Sequence, residues 1–272
     1  MILSRRVALN NVQLDEVHES VIIRSVVPGV PNENISSVSR MHGTGNRITT
    51  RNWQPLETEV SFAIDLYKED LEGRRAVYDA VTAWALKGGW LSTNQMPNRY
   101  MYVDKTVMPG GADLRDWTRD YQLTFKAYNI PFWQSEPVSA TSGVTNNGMI
   151  ALNVAGNTDT VLDFTFTNYS GKTINDLSVS VYRGSAAIGT APYSTIVLEN
   201  IALAAGGVIT MTHGTDGIMR IWRTQGGEVV SILDKMSASS SDDSYIGTGI
   251  SYVSFYASRA GVLTASCRGR YL

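Results

Sequence analysis

The chain has 272 residues, 43% hydrophobic and 18% charged, with a net charge of −2. No basic stripe exists to grip phosphates, so tight nucleic-acid binding is disfavoured. The lone cysteine, Cys267, excludes an internal disulfide and a cysteine metal cluster, and reads as a small buried apolar side chain.

The opening Met-Ile-Leu-Ser-Arg-Arg carries no apolar signal core. No stretch nears the ~20 apolar residues of a membrane span, so a soluble protein made in a cytoplasm is expected. From Asn32 to Arg51 the chain is polar, with Gly43 and Gly45, three arginines (Arg40, Arg47, Arg51) and one acid, Glu33. Such a segment is too long for an ordinary loop in a compact domain and reads as a functional arm or interface loop, with the arginines as its oligomer contacts.

Glu57 to Leu66 is a strand, with Val60, Phe62, Ile64 and Leu66 inward and Glu59, Ser61 and Asp65 outward. Asp70 is a plausible N-cap for a helix over Leu71 to Leu86. There Val77, Val81 and Trp84 form the apolar stripe, which Tyr78 and Ala85 widen. Gly88-Gly89 ends the helix and Trp90-Leu91 resumes extended structure. Tyr100 to Val107 and Asp120 to Tyr128 read as strands around the turn Met108-Pro109-Gly110-Gly111. The second strand runs into Ile130-Pro-Phe-Trp-Gln-Ser-Glu-Pro137, where two prolines are expected to stop pairing.

Charge density changes at that point. Fifteen Lys/Arg and sixteen Asp/Glu precede Pro137, against eight and nine in the equal length that follows. This predicts two domains, 1–136 and 137–272, hinged at the aromatic-proline stretch. The fold class expected is mainly β: an α+β first domain with one helix, then an all-β sandwich or jelly roll. In the second half Leu162, Phe164 and Phe166 alternate with polar residues. So do Val179 and Val181, with Ser178, Ser180 and Tyr182 on the other side, and Val253, Phe255 and Ala257. Turns recur at Ser170-Gly171, Ala205-Gly206-Gly207, Asp216-Gly217 and Gln225-Gly226-Gly227. The run Ser237 to Ser244 reads as a mobile loop.

No constellation for catalysis is legible. His18, His42 and His213 lie far apart and in no motif, and no Gly-x-Ser-x-Gly elbow is present. Asp242-Asp243 and Asp159/Asp163 fit no twelve-residue calcium loop, and Gly247-Thr-Gly249 is too short to cradle phosphate. No catalytic residue, cofactor or metal is therefore expected; an ordered ion held by Asp242 and Asp243, or a His213-carboxylate pair in a cleft, would overturn this. Tyr252 and Tyr256 lie opposite Val253 and Phe255 and offer an aromatic shelf for sugar rings, which Trp222 would join. The plainer reading of all three is cross-strand packing or an interface.

The order of features in the first half resembles the distal tail protein (Dit) family of long-tailed bacteriophages and prophages. The features are the apolar start Met1 to Leu9, the segment His42-Gly-Thr-Gly-Asn-Arg47, the strand Val60 to Leu66 and the helix ending in Trp84-Ala-Leu-Lys-Gly-Gly. The hairpin Arg99-Tyr-Met-Tyr-Val103 and the exit Ile130-Pro-Phe-Trp133 complete the set, which covers about half of the chain. The resemblance implies a tail-tube-like split barrel first and a galectin-like or carbohydrate-module-like sandwich second. It further implies a homohexameric ring in the virion at the end of the tail, assembled in the bacterial cytoplasm. Its partners would be the major tail (tube) protein, a tail-associated tip or lysin protein and receptor-binding proteins. DNA would pass through the channel without specific binding, and no membrane insertion is implied. Two other readings stay open: a carbohydrate-binding protein acting through the sandwich, and a hydrolase with an unrecognised site.

Overall fold

A computed structural model describes residues 6–39, 46–65, 67–108, 120–184 and 191–272. By its contacts the chain divides into two units, Met1–Gln134 together with Leu272, and Ser135–Tyr271.

Among its described residues the first unit contains two sheets and a separate two-stranded ribbon. In one, β1 (Val7–Leu9) pairs with β2 (Val12–Gln13) and with a later strand, β7. Asn10 and Asn11 join β1 to β2 in a two-residue turn at φ 51° and 66°, the left-handed geometry a tight hairpin needs and asparagine tolerates. Asn10 also fixes the entry to β7, donating from Nδ2 to Gly88 O (2.8 Å) and accepting Trp90 N (3.0 Å) on Oδ1. A one-turn helix that the periodicity did not announce, α1 (Leu14–Val17), follows under a Gln13/Glu16 capping box.

β3 (Val21–Pro28) precedes the ribbon β4 (Glu33–Ser39) and β5 (Asn46–Trp53), and then β6 (Leu56–Ile64). In β6 Val60, Phe62 and Ile64 are buried as their alternation requires; Leu66 falls outside the described residues. Asp70 caps α2 (Leu71–Ala85) by accepting Gly73 N at 2.8 Å. The helix buries Val77, Val81, Trp84 and Ala85. Gly88 and Gly89, at φ 62° and 108°, turn the chain into β7 (Gly89–Thr93).

The strand expected over Tyr100 to Val107 is two: β8 (Tyr100–Val103), which pairs with β7, and β9 (Lys105–Val107), which pairs with β10 (Tyr121–Ala127) in the other sheet. Asp104 causes the break. Its carboxylate accepts Tyr128 N (2.6 Å), Asn129 N (3.0 Å) and Asn129 Nδ2 (2.8 Å), pinning the bend to the end of β10. The second sheet has the order β3-β6-β10-β9. The helix meets it through edge-to-face contacts of Trp84 on Phe125 (centroids 5.9 Å) and Tyr78 on Tyr121 (5.5 Å). Most of the turn expected at Met108 to Gly111 lies outside the described residues.

The aromatic-proline stretch departs from expectation. Pro131 does lie between strands, but β11 (Trp133–Thr141) starts directly after Phe132 and runs through Pro137. Pro137 is exposed, and a strand admits proline where its missing N–H is not needed by the ladder. Phe132 and Trp133 belong to the core of the first unit. Trp133 is 1% exposed, and its Nε1 donates to Gly29 O at 2.9 Å. A Cβ on Gly29 would lie 2.0 Å from Glu57 O, so only glycine brings the backbone that close.

The second unit is a sandwich. β12 (Thr145–Val154), β13 (Thr160–Val161), β14 (Asp163–Asn168), β15 (Leu177–Arg183), β16 (Ser194–Leu198), β17 (Val208–His213), β18 (Met219–Gln225) and β19 (Glu228–Ser231) precede a short β20 (Tyr245–Ile246). The last strand, β21 (Gly249–Tyr271), has 23 residues and serves both sheets. Its first half lies between β12 and β15, with β16 beyond β15. Its second half pairs with β14, which continues to β17, β18 and β19. Strands that switch sheets do so at bends. Here the switch falls near Gly261, where a Cβ would stand 2.3 Å from the Phe166 ring. Between the sheets lie Leu162, Phe164, Phe166, Val179, Val181, Val253, Phe255 and Ala257, the alternating rows of the sequence, together with Cys267.

Candidate functional site

Three features of the described residues bear on function: the β4–β5 ribbon, a buried charge cluster in the sandwich, and the outer aromatic faces.

The polar segment is a β-hairpin rather than a loop. Its register runs from Glu33↔Trp53 to Ser39↔Asn46, with a bulge at Ser36/Ser37, and neither strand joins another sheet. Its root is fixed by Gln54 N donating to Asn32 O at 2.8 Å. Trp53 adds an edge contact with Phe132 at 4.8 Å. Arg47 and Arg51 lie on β5 opposite Val38 and Ile35; Arg40 is outside the described residues. A two-stranded ribbon with few apolar residues and no third strand is marginal in water.

The charge cluster was only partly legible in the sequence. The His213 side chain is 2% exposed and lies between two carboxylates. Nδ1 is 2.8 Å from Asp163 Oδ1, and Nε2 is 2.6 Å from Asp243 Oδ1. The His213 backbone N–H donates to the same Asp163 oxygen at 2.8 Å. Burial alone disfavours the charged ring, but the hydrogen bonds to Asp163 and Asp243 outweigh it and push the imidazole up to about 9. At neutral pH the ring is therefore a cation donating from both nitrogens. Burial also works against the charge of Asp243, yet the His213 hydrogen bond holds its carboxyl below the usual range. Arg270, held below its ordinary value by burial, and Tyr245, raised by burial, feel the same carboxylate. One signal was readable: His213 shares strand parity with the buried Ile209 and Met211, and an inward histidine needs partners.

The His213-carboxylate contact named above as counting against a non-catalytic reading is present, but the ring is 2% exposed rather than open in a cleft. A charged imidazole with both nitrogens engaged has no lone pair to act as a base. The Cys267 thiol is pushed up to about 12 by burial and is no nucleophile at neutral pH. The other described histidine, His18, accepts Ser20 N at 3.2 Å, while the Ser20 hydroxyl donates to Glu69 at 2.5 Å. There the hydroxyl addresses the carboxylate rather than the imidazole, the reverse of a nucleophile-base pair. Among the described residues no group of three or more metal-binding side chains converges. No helix of the described residues is long and apolar enough to cross a membrane.

The aromatics do not form one shelf. Tyr252 lies opposite Tyr182 and Ala151, and Tyr256 opposite Ser178 and Asn147, on the outer face of the β16-β15-β21-β12 sheet. Trp222 lies opposite Thr210 and Ser231 on the outer face of the other sheet, since its neighbour Ile221 is buried. The two faces are separated by the core, so Trp222 does not join the tyrosines. Tyr182 does, in the outward position its alternation with Val179 and Val181 assigned.

The serine run also differs from expectation. The stretch from Lys235 to Ser241 lies along the free edge of β16. Glu199 N donates to Lys235 O, Ser237 N to Val197 O and Ser241 N to Thr195 O. Two amides of that edge are taken by hydroxyls: Thr195 N by Ser241 Oγ (3.0 Å) and Val197 N by Ser240 Oγ (2.9 Å). The run is a cover strip rather than a loose loop.

No family model and no curated protein matches this chain. Among solved structures, the Dit protein of phage SPP1 is similar over 98% of this chain and 99% of its own, with a TM-score of 0.67 at 12% identity. The chain has the fold of a phage distal tail protein. The distal-tail fold also matches a chain of the phage P2 baseplate in its activated conformation with Ca, at a TM-score of 0.51 and 9% identity over 97% of this chain and 98% of that one. The same baseplate with Sr gives 0.50 and 10%, over 96% and 97%.

Proposed function

We propose that this chain is the structural hub at the distal end of a phage tail. In this reading six copies form a ring that joins the tail tube to the tail tip, or baseplate, and to the host-adhesion apparatus. What supports it is the two-sided coverage: 98% of this chain and 99% of the SPP1 protein correspond, and that protein is described as a paradigm of the hub adsorption apparatus in phages infecting Gram-positive hosts. The partners are the major tail tube protein, a tail-associated tip or lysin protein, and receptor-binding proteins. A net charge of −2 suits a channel that DNA crosses without sticking. The role is non-catalytic, in keeping with a charged His213 and a buried Cys267.

The β4–β5 ribbon supplies the ring contact. A ring is one heterologous contact repeated until it closes, and a ribbon with no third strand among the described residues offers two open edges to a neighbour. Arg40, Arg47 and Arg51 serve that interface, where guanidinium groups pair bidentately with carboxylates. Light scattering and negative-stain images of the protein, alone and with tail-tube and tip proteins, test the reading. Six-membered rings are expected, and deletion of Ser36 to Thr49 should abolish them while the second unit stays folded. Hexamers from the deletion variant would remove the ribbon as the clasp. A chain that stays monomeric with all its partners present would end the distal-tail reading.

A second reading, carbohydrate binding through the sandwich, is favoured by one observation. Tyr182 faces Tyr252 across the ladder on the same side as Tyr256, which is 57% exposed. Calorimetry against host cell-wall glycans with Tyr252→Ala and Tyr256→Ala would decide it. A wild-type affinity unchanged by both substitutions, or no affinity at all, removes that face as a sugar shelf.

A further inference from the structure

The strip over the β16 edge is anchored at its far end by the buried charge cluster. Past Ser241 the chain turns inward, and Asp243 meets His213 on β17 at 2.6 Å, so a segment lying on one sheet is tied to the other sheet. We propose that Asp163, His213 and Asp243 form a pH-gated latch: the charged imidazole holds 237–244 closed over the β16 edge, and its discharge in alkali lifts the strip and exposes the edge to pairing by another strand.

The geometry carries this in two steps. First, the outward amides of Thr195 and Val197 are both taken by the strip, and that of Glu199 by Lys235 just ahead of it. Removing it leaves the row of open donors and acceptors that sheet proteins normally hide. Second, the latch holds the strip by buried charge, whereas along the β16 edge it is held by main-chain bonds and serine hydroxyls. Its ring donates one N–H to Asp163 on β14 and the other to Asp243 on the strip. Loss of one proton leaves a single N–H for two carboxylates, so one of them faces a lone pair at hydrogen-bond distance. The ionisable groups that act on the two carboxylates are Tyr245 from β20, which hydrogen-bonds Asp243, and Arg270 and Cys267 from β21, with Asp242 acting on Tyr245. Arg270 keeps a positive charge near Asp243 after discharge, so the hold on the strip weakens rather than vanishes.

Hydrogen exchange of the full-length protein, corrected for intrinsic rates, tests the latch. The amides of Thr195 and Val197 should be protected at pH 7 and lose roughly ten- to a hundredfold protection by pH 10. Core amides such as Val253 should stay protected. The His213 ring proton shifts in NMR should titrate over the same interval. Asp243→Asn and His213→Gln should give reduced strip protection already at pH 7 with little further change in alkali. Protection that is flat to pH 10 in the wild type, or a pH dependence that persists in both variants, overturns the proposal. If a variant does not fold, the wild-type titration still decides, because strip opening and ring titration must coincide.

Discussion

Replacing Trp84 by alanine tests whether α2 is held by its apolar stripe. The side chain is 4% exposed, stands edge-on to Phe125 with centroids 5.9 Å apart, and donates from Nε1 to Val12 O at 3.1 Å. Truncating a buried tryptophan costs ~3–5 kcal/mol, cavity included. The aromatic pair accounts for about 1 kcal/mol of this. The Val12 carbonyl adds little, because Val12 is 45% exposed and water can replace the donor. A total of about 4 kcal/mol follows, which at ~2 kcal/mol/M moves the urea midpoint of the first unit by roughly 2 M. Urea titration of the full chain should show that shift with the transition of the second unit in place. Trp84→Phe should recover more than half, because it keeps a ring against Phe125. A loss under ~1.5 kcal/mol for alanine would refute the packing argument and mark this face as a partner surface.

In the sandwich, Asn168 is 1% exposed and donates from Nδ2 to the carbonyls of Lys172, Leu203 and Ala204, at 2.7, 2.9 and 3.0 Å, while Oδ1 accepts from Ser170. Asn168→Ala should destabilise the second unit by ~2–4 kcal/mol in thermal unfolding; under ~1 kcal/mol would mean water replaces the amide. Stability should also depend on pH through the buried cluster. The raised His213 value makes its contribution complete below about 6.5 and lost as pH climbs through about 9. The lowered Asp243 value makes its contribution present above 3.8 and lost as acid titrates the carboxyl. The difference in melting temperature between wild type and His213→Gln should therefore be largest between those limits; a difference flat from pH 3 to pH 10 would mean the bridge adds nothing.

Much of this fold was legible because each unit buries one face of each strand. Val60/Phe62 and Phe164/Phe166 follow period two, and Val77/Val81/Trp84 follow period 3.6, with Asp70 and Gly88 marking the helix ends. The misses share a cause: they depend on groups brought together from distant parts of the chain. The apolar and aromatic pattern runs unbroken through Asp104, and only Tyr128 and Asn129, more than twenty residues on, convert it into a bend. Pro137 reads as a stop until its exposed place on β11 is known. Serines at 237, 240 and 241 look unstructured because their partners are backbone atoms of β16. His213 was partly readable from its parity, but Asp163 and Asp243 lie 50 and 30 residues away, and nothing local marks either as its partner. The tyrosine face was readable as far as parity reaches. Its separation from Trp222 depends on which sheet each strand joins, and that is set by the bend at Gly261.

That β21 serves both sheets has a consequence for biosynthesis. The strand flanked by β12 and β15, and later by β14, follows every other strand of the sandwich in the chain. Until it emerges, the hairpins of the sandwich have no common partner and their apolar rows stay open to water. The second unit should therefore close only once β21 has emerged, in one late step dominated by contacts distant in sequence and correspondingly slow. The first unit has its own strands complete by Gln134 and need not wait. A chain ended before Gly249 should give a folded first unit trailing a solvent-exposed, protease-sensitive remainder, and pulse proteolysis of stalled chains would detect it. Gly249 to Tyr271 thus act as a check on the unit: only a copy that includes this strand presents a closed second unit.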